Sequence, residues 1–333
     1  MCSPDTSFLA NDVFYANALH ILTTIEVPVH LFGAYIVLAK TPLKMTSVKQ
    51  SMITLHLVGA FFDIYLSSIA MPVFTIPFCA GYPLGLLLLL GVPTSFQVYL
   101  GYCSIAVVST AILSFFEDRH YVLGNGPNLE RNWKRKVYIL FHYILSFVFI
   151  LPAYLAIPDQ STGKLAILQG VPCFPPDVLN RPGFFMLAID STVCFICLLS
   201  TTLFFLSQLL YFAVSIVWKL SDNKTKSKNT NKLQKQFMVA LGIQVALPLG
   251  ILGIPSTYIM WSAMSNYYNQ ALTNISFISL CCHGFASTVT MIIVHRPYRD
   301  AVLEIFHIKT EEKEVFSRSQ IWRTGAGAAD TSI

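Results

Sequence analysis

Residues 92–120 read VPTSFQVYLGYCSIAVVSTAILSFFEDRH, a long apolar run that ends in a group of charged residues. The first 25 of them, Val92–Phe116, contain no charged side chain, and Glu117-Asp118-Arg119-His120 follows directly. A helix rises about 1.5 Å per residue, so about 20 residues cross the roughly 30 Å hydrocarbon core of a membrane. The run is therefore long enough to be a transmembrane helix whose charged end lies at one membrane surface.

Six other apolar runs resemble this one in length and lack of charge. They lie at Leu19–Ala39, Ser51–Val73, Val137–Ile157, Phe184–Trp218, Phe237–Trp261 and Leu272–Val294. The whole chain is 54% hydrophobic and only 12% charged, about half the charge of a typical soluble domain. Charge this sparse does not cover a soluble globule, so lipid is the expected solvent for most of the chain. The predicted fold class is all-α, a polytopic membrane protein with a seven-transmembrane helix bundle.

The lysines and arginines predict the orientation of this bundle. The segment before Leu19 contains none, whereas four other segments hold 20 of the 22 in the chain: Lys40–Gln50, Asp118–Lys136, Lys219–Gln236 and His295–Ile333. With seven crossings these four segments lie on one side, which the positive-inside rule assigns to the cytoplasm. The N-terminus is therefore expected outside the cell, without a cleaved signal peptide. The net charge of +5 reflects topology, and no nucleic-acid partner is expected.

The chain divides into four predicted regions. These are an extracellular N-terminus at 1–18, the seven-helix domain at 19–294, an amphipathic juxtamembrane helix at 295–307 and a disordered cytoplasmic tail at 308–333. The amphipathic helix is predicted because Tyr298, Val302, Ile305 and Phe306 share one helical face, as in helices that lie on a membrane surface. The tail is polar and contains glycine, which favours disorder.

Two of the eight cysteines differ from the others. Most lie inside the apolar runs, where cysteine is usually a small buried hydrophobe. Cys79 follows the second run and Cys173 lies between the fourth and fifth, so both face the oxidising exterior in the predicted topology. A disulfide between them is the preferred interpretation, with two free thiols as the alternative. The disulfide would tie the loop Pro158–Gly183 over the mouth of the bundle.

Three acidic residues, Glu26, Asp63 and Asp190, lie within the seven runs. An ionised side chain at mid-bilayer costs at least about 2.5–3.5 kcal/mol, so such residues usually face the bundle interior. Asp190 is predicted in the first turns of its helix, where it reaches water. Glu26 comes just before Pro28 and is expected to bond to the carbonyls that a proline kink frees.

Asp63 lies in the middle of the second run, and His283 lies in the middle of the seventh. If those two helices are neighbours, the two side chains can share a hydrogen bond or a proton and act as a conformational hinge. The alternative is that each bonds to a nearby hydroxyl group, such as that of Ser67, Ser287 or Thr288.

The charged end of the third run carries the clearest signalling pattern. Charges at a helix end are usually only solvated. At the cytoplasmic end of a third helix, however, Glu117-Asp118-Arg119-His120 resembles the Asp-Arg-Tyr element of G-protein-coupled receptors, with His120 in place of tyrosine. That resemblance implies that Arg119 contacts a heterotrimeric G protein.

Seven stretches, in order along the chain, are similar to nematode chemoreceptors of the serpentine receptor class H. They are Glu26–Tyr35, Lys40–Lys49, Ala80–Gly85, Phe116–His120, Ile157–Gln160, Val171–Cys173 and His295–Arg299. The resemblance implies a G-protein-coupled receptor for small environmental chemicals, odorants or soluble molecules, on the sensory cilia of chemosensory neurons. The sixth run has no Cys-Trp-x-Pro element and the seventh no Asn-Pro-x-x-Tyr element. The switch roles of those elements are therefore not transferred.

The expected ligand pocket lies in the outer halves of the helices. Its candidates are the polar or aromatic residues predicted there, with simple packing as the alternative role: Gln97, Tyr99, Asp190, Tyr258, Trp261 and Phe277.

Other functions fit the sequence less well. A transporter is the main alternative, but the chain shows no internal repeat of the kind common in transporters. A ligand-gated channel with its N-terminus inside disagrees with the distribution of lysine and arginine. No paired aspartates or His-rich cluster suggests an intramembrane enzyme or a metal site. Leu272–Val294 has no lysine for a retinal Schiff base, and no cofactor is expected.

Overall fold

The computed structural model describes residues 7–42, 46–125, 133–170, 174–175, 177–221 and 228–306. Within them the chain forms twelve α-helices, two short 3-10 helices, one π-helical turn and three short strands. The helices are α1 Asp12–Lys40, α2 Thr46–Ile64, α3 Leu86–Leu89, α4 Thr94–Asn125, α5 Trp133–Val148, α6 Leu151–Leu155, α7 Gln160–Gly170, α8 Thr192–Ser221, α9 Lys228–Met264, α10 Gln270–Cys281, α11 His283–Val294 and α12 Arg296–Ile305. The strands are β1 Pro72–Phe74, β2 Cys79–Pro83 and β3 Phe185–Ala188.

Six helical stretches in the described residues are long and apolar enough to cross a membrane. They are Asp12–Lys40, Lys49–Ile69, Thr94–Gly124, Trp133–Leu155, Thr192–Leu220 and Gln270–Val294. The remaining predicted span, Phe237–Trp261, falls within α9. The prediction of an all-α, seven-transmembrane bundle is confirmed, with α5–α6 and α10–α11 each forming one crossing from two helices.

Helix α2 lies at the centre of the packing, against α1, α4 and α11. One apolar cluster fills the end of the bundle where α1 begins, here called the N-terminal end, and includes Tyr15, Phe62 and Tyr65. A second cluster fills the opposite, C-terminal end and includes Phe115 and Tyr298. Tyr298 belongs to α12, which packs against α1 and α11. Each end of the bundle therefore has its own buried core.

A small antiparallel sheet, in the order β1-β2-β3, covers part of the N-terminal end. Tyr15 donates a hydrogen bond to the Pro72 carbonyl at 2.9 Å and so fastens β1 to α1. Tyr82 donates to Asp12 at 2.7 Å, and Arg181 forms an ion pair with the same carboxylate at 2.9 Å. The first turn of α1 is therefore bonded to β2 and to the loop that precedes β3.

The sheet corrects two predicted helix boundaries. The second run was expected to be helical as far as Val73, and the fifth from Phe184. Instead α2 ends in a π-helical turn at Tyr65–Ile69, and Val73 lies in β1 paired with Tyr82. Phe185–Ala188 forms β3, and α8 begins only at Thr192. Apolar composition does not separate a short buried strand from a helix, so both boundaries were placed too far into the sheet.

A strand and one helical turn separate the second span from the third. Between Cys79 and Pro93 the chain forms β2 and then the single turn α3. Gly91 ends that turn with a φ of 71°, a left-handed conformation that glycine adopts without strain. Helix α4 then starts at Thr94, directly after Pro93.

Two crossings are broken helices. α5 ends at Val148 and α6 begins at Leu151, with Pro152 in the first turn of the new helix, where its missing N–H costs nothing. α10 ends at Cys281, and α11 begins at His283. By contrast, Pro28 and Pro255 lie inside continuous helices.

Glycines allow α1, α2 and α11 to approach closely. A Cβ atom on Gly284 would lie 2.7 Å from Asp63 Oδ2 and 2.8 Å from the Gly59 carbonyl oxygen. A Cβ on Gly33 would lie 2.5 Å from the Thr288 methyl carbon and 2.7 Å from the His56 ring. Both distances are far below a van der Waals contact. The three-helix packing therefore depends on the absence of side chains at these positions.

Replacing Gly284 with alanine is expected to destabilise the protein, because the new methyl group overlaps Asp63 and the α2 backbone. Overpacking of this kind typically costs about 1–3 kcal/mol. The measurement is the melting temperature of the purified protein in detergent. Gly253→Ala is the matched control: its Cβ meets nothing within 4 Å, so better helix propensity should leave stability unchanged or raised. Equal melting temperatures for Gly284→Ala and the unchanged protein would contradict the prediction.

Candidate functional site

The charged end of α4 forms a buried ion cluster with the first turn of α5. Arg135 donates from Nε to Glu117 Oε1 at 2.5 Å and from Nη2 to Glu117 Oε2 at 2.6 Å. The same Nη2 donates to Asp118 Oδ1 at 2.6 Å. All three side chains are at most 10% exposed. Because removing one member of a buried ion pair leaves an uncompensated charge, such a change typically costs about 3–5 kcal/mol.

Arg135 also stacks on an aromatic ring. Its guanidinium carbon lies 3.9 Å from the centre of the Tyr121 ring. Glu117 and Tyr121 are four residues apart on α4, so they share one helical face. The guanidinium therefore bonds to the acid and covers the ring on the same side of α4.

Arg119 points away from this cluster, toward α2. It is 6% exposed, its Nη2 lies 3.4 Å from Met52 Sδ, and its guanidinium lies 5.0 Å from the centre of the Phe115 ring. Tyr298 of α12 approaches the same sulfur at 3.7 Å. His120 packs against Tyr211 and Phe212 of α8, with ring centres 6.3 and 5.4 Å away. Of the four residues predicted as the switch, Glu117 and Asp118 thus face α5, Arg119 faces α2 and His120 faces α8.

The Asp63 carboxylate caps α11 from across the helix interface. Its Oδ1 accepts from the Gly284 N–H at 2.9 Å, and its Oδ2 accepts from the Phe285 N–H at 2.7 Å. N–H groups in the first turn of a helix have no partner within that helix, and the helix dipole favours a negative charge there. Asp63 is fully buried. A side chain of α2 therefore satisfies the backbone of α11 at the break in the seventh crossing.

This geometry differs from the predicted pair of Asp63 and His283. Both carboxylate oxygens bond to the backbone of the two residues that follow His283. The His283 ring lies edge-on to Phe62, with ring centres 6.2 Å apart. The reason is the break at Cys282, which frees N–H groups for the carboxylate and which the apolar run does not reveal.

A group of buried histidines surrounds Asp63. His30 Nε2 lies 3.4 Å from Asp63 Oδ2, and His56 Nε2 lies 2.8 Å from the His30 carbonyl oxygen. The Thr288 hydroxyl lies 3.3 Å from the Nδ1 atoms of both histidines and 2.8 Å from the Gly284 carbonyl oxygen, to which it donates. Polar contacts therefore join α1, α2 and α11 within the bundle interior.

Glu26, also fully buried, accepts a hydrogen bond from Ser67 at 3.4 Å. Ser67 lies in the π-helical turn that ends α2, and it also bonds to Thr23 at 2.8 Å. Glu26 therefore joins α1 to that turn, whereas bonds to carbonyls freed by Pro28 were expected.

A small cavity between α2 and α11 has room for about one water molecule. His56, His283 and Thr288 line its polar side, and Met52 lies in its wall as well. Met52 is also the residue that Arg119 contacts. The cavity therefore lies between the histidine group and the charged end of α4.

A family model described as the serpentine type 7TM GPCR chemoreceptor Srh matches residues 10–308. The chain belongs to this family. Serpentine receptor class H-72 of Caenorhabditis elegans is 25% identical over 319 residues, which cover 94% of this chain and 91% of that protein. The predicted resemblance is therefore confirmed. The protein is a multi-pass membrane chemoreceptor, and its family is a class of receptors and not of enzymes.

The six predicted pocket residues of the receptor contact different neighbours, and none of them lines the cavity between α2 and α11. On α4, Gln97 donates to the Val92 carbonyl, and Tyr99 donates to the Phe147 carbonyl at 2.6 Å. Trp261 of α9 is 53% exposed and has its ring centre 6.3 Å from that of Tyr258.

Phe277 of α10 stacks on Phe74 of β1, with ring centres 4.4 Å apart. Asp190 lies in the turn before α8, not inside the helix as predicted, and it bonds to the backbone N–H and hydroxyl of Thr192. Those hydrogen bonds lower the pKa of the exposed Asp190 carboxyl. The ligand role of all six residues stays a prediction.

Cys79 is a free thiol in the structure and lies beside Cys194 of α8. A hydrogen bond with the Cys194 thiol, together with burial, raises the pKa of Cys79. Cys173 lies outside the described residues, so the disulfide between Cys79 and Cys173 stays a prediction. The predicted N-terminal segment, 1–18, lies partly outside the described residues, and the predicted tail, 308–333, lies wholly outside them.

Sequence reasoning missed Arg135, His30 and His56. Arg135 is one of five basic residues in Asp118–Lys136, and positive-inside bias alone accounts for such a segment. Its place in the first turn of α5, which begins at Trp133, does not by itself show that the side chain is buried. The two histidines were detectable, since each is a polar residue within an apolar run, yet only the three acids and His283 were considered.

The melting temperature of the receptor is expected to depend on His295, which links α11 to α12 and is 3% exposed. Burial, and next the positive charge of Arg119, lower its pKa to about 4, from about 6.5 in an unfolded chain. The folded state then binds fewer protons, so the stability due to neutral His295 is present above pH about 6.5 and lost as pH falls toward about 4.

As pH falls over this range, the melting temperature of the purified receptor should therefore fall more steeply than that of His295→Gln, in which the titrating group is absent. His20→Gln, at an exposed position of α1, is the control and should follow the unchanged receptor. Parallel curves for His295→Gln and the unchanged receptor would count against the prediction.

Proposed function

We propose that this receptor binds a small environmental chemical and, in response, activates a heterotrimeric G protein at its C-terminal end. The observation that carries the proposal is that three consecutive charged side chains at the end of α4, Glu117, Asp118 and Arg119, are all buried. It lies at the end of the bundle where most of the lysines and arginines are found. Charges that are held by contacts with neighbouring helices can be rearranged when those helices move, and membership of a chemoreceptor family agrees with this role.

The proposed orientation has the N-terminus outside the cell, in the plasma membrane of sensory cilia. It is supported by the absence of lysine and arginine before Leu19 and by their concentration in the segments at the other end. The charged end of α4 then faces the cytoplasm, where G proteins are found. A chemical ligand would reach the N-terminal end first.

Ligand binding would act by changing the populations of two arrangements of the helices. A ligand shifts such an equilibrium only by its difference in affinity for the two states. The contacts of Asp63 with α11 and of Met52 with Arg119 join the helix packing to the charged end. A change in how α2 packs against α11 would therefore also change the surroundings of Arg119.

Arg119→Ala is expected to lower G-protein activation at least tenfold, equal to about 1.4 kcal/mol of lost interaction. The full-length receptor is expressed in cells, and guanine-nucleotide exchange is measured without added ligand and with a panel of volatile and water-soluble chemicals. Arg299→Ala removes an exposed arginine of α12 from the same end of the bundle and is the control. It should activate like the unchanged receptor at equal surface expression.

Two results would contradict the proposed function. One is ligand-dependent ionic current or substrate uptake without nucleotide exchange, as expected for a channel or a transporter. The other is full activation by Arg119→Ala.

Asp63→Asn is expected to reduce ligand-dependent activation. An amide offers one acceptor oxygen where the carboxylate offers two, so one N–H of α11 would face an N–H group and lose its partner, at a cost of about 1–3 kcal/mol. Asp300→Asn, on the partly exposed surface of α12, is the matched control and should have no effect. Unchanged activation and surface expression of Asp63→Asn would remove the role of Asp63 in switching.

A further inference from the structure

We propose that Cys79 and Cys194 are joined by a disulfide in the mature receptor, a bond that fastens strand β2 to the first turn of α8. One cysteine sulfur forms one disulfide, so this pairing is an alternative to the predicted bond between Cys79 and Cys173. The inference rests on the orientation given under the proposed function, which places the N-terminal end of the bundle, with its sheet, in the oxidising exterior where disulfides persist.

The two thiol groups are in contact. The Cys79 thiol donates a hydrogen bond to the Cys194 sulfur. Both side chains belong to one apolar cluster that includes residues of α4, α6, β3 and α8; in it Cys194 is 2% exposed and Cys79 is partly exposed. Two cysteines can be bridged only when their side chains point toward each other at close range. A hydrogen bond between the two sulfur atoms shows that these side chains do so.

Backbone contacts hold both cysteines at this meeting point. Cys79 begins β2 and pairs with Ala188, the last residue of β3. Asp190 holds the turn between β3 and α8, because it accepts hydrogen bonds from the backbone N–H and the hydroxyl group of Thr192. Cys194 follows in the first turn of α8. The strand pairing and the turn therefore bring the two cysteines together through contacts that do not involve the thiols.

Six cysteines lie in the part of the chain that the structure describes, and all six are free thiols there. Cys103 has the Tyr99 hydroxyl as a hydrogen-bonding partner, and Cys197 bonds to the backbone of Ala153. Cys197 lies three residues after Cys194, on the same face of α8, and is therefore a competing partner for it. The contact between β2 and α8 differs from these because it joins two thiols on separate elements.

The bond needs an oxidant, and a small-molecule disulfide such as oxidised glutathione is the chemical class we assign. The partly exposed Cys79 thiol loses its proton and attacks one glutathione sulfur, whose S–S bond breaks and releases one glutathione thiolate. The Cys194 thiol then loses its proton and attacks the Cys79 sulfur, and the second glutathione thiolate leaves. The two thiolates take up the two protons. The protein loses two electrons, and oxidised glutathione gains them.

The bond would fix one end of α8 and leave the other end free to move. Helix α8 packs along α4, and Tyr211 and Phe212 in its second half contact His120. The disulfide therefore restrains α8 at the end that faces the ligand in the proposed orientation. It also closes a long loop of chain, and such cross-links stabilise a protein mainly by restricting its unfolded state. The oxidised receptor should therefore melt at a higher temperature than the reduced one.

The first test maps the bond in the full-length receptor made in animal cells. The cells are lysed in denaturing detergent with N-ethylmaleimide, which blocks free thiols before they exchange, and the digested protein is analysed by mass spectrometry without reduction. A peptide that contains Cys79 should be linked to one that contains Cys194. A link from Cys79 to Cys173, a link from Cys194 to Cys197, or alkylation of both Cys79 and Cys194 would overturn the inference.

The second test compares melting temperatures with and without dithiothreitol. Reduction should lower the melting temperature of the unchanged receptor by at least about 5 °C and should leave that of Cys79→Ser and Cys194→Ser unchanged. Cys197→Ser is the matched control: it removes a thiol from the next turn of α8 and should keep both the link and the response to reduction. An unchanged receptor that does not respond, or a Cys194→Ser variant that still does, would overturn the inference. If one serine variant fails to fold, the other decides.

A third measurement separates this inference from the proposed function. The purified receptor is reduced, freed of reductant and incubated with oxidised glutathione, which tests the contact without ligand, G protein or membrane orientation. Because the pKa of Cys79 is raised, its thiolate is scarce, and the bond should form over minutes to hours. Failure to form it would overturn the contact. A receptor that is reduced in cells but forms the bond here would overturn the bond in the mature protein and count against the orientation, whereas G-protein activation is measured separately.

Discussion

The bond from Asp63 to the backbone of α11 is the interaction on which the rest of the bundle depends. In a membrane, a helix that breaks must satisfy its freed N–H groups within the protein, because lipid offers no hydrogen bond. Asp63 supplies both acceptors, to Gly284 and Phe285. Its approach requires a glycine at 284 and is favoured by the nearby Gly59. The break, the cap and the small residues therefore make one consistent structural unit.

Helix α2 transmits the consequences of this cap to both ends of the bundle. Two residues after Asp63, Tyr65 begins the π-helical turn. Its hydroxyl donates a hydrogen bond to the Gln97 carbonyl of α4 at 2.5 Å. Toward the other end, Met52 of α2 contacts Arg119 of α4. α4 is one continuous helix between those two contacts. A shift of α2 against α11 would therefore move contacts with α4 at both Gln97 and Arg119.

The sequence predicts the crossings well and the polar interior poorly, for different physical reasons. Seven apolar runs follow from the cost of charge in lipid, which acts on every residue. The strand at Phe185–Ala188 was missed because a buried strand and a helix share the same composition. Arg135 was missed because burial of a basic residue beside a basic loop depends on Glu117 and Asp118, which lie on another helix.

The candidate site shows a further limit of reading single residues. Asp63 and His283 were rightly considered as polar residues in the membrane, but a side chain was assumed to bond to a side chain. The partner of Asp63 is backbone, and that backbone becomes available only because α10 and α11 are separate helices. A carboxylate near two unsatisfied N–H groups gains two hydrogen bonds and a favourable interaction with the helix dipole. A single imidazole partner would offer fewer favourable interactions. The break in the seventh crossing therefore determines the partner of Asp63.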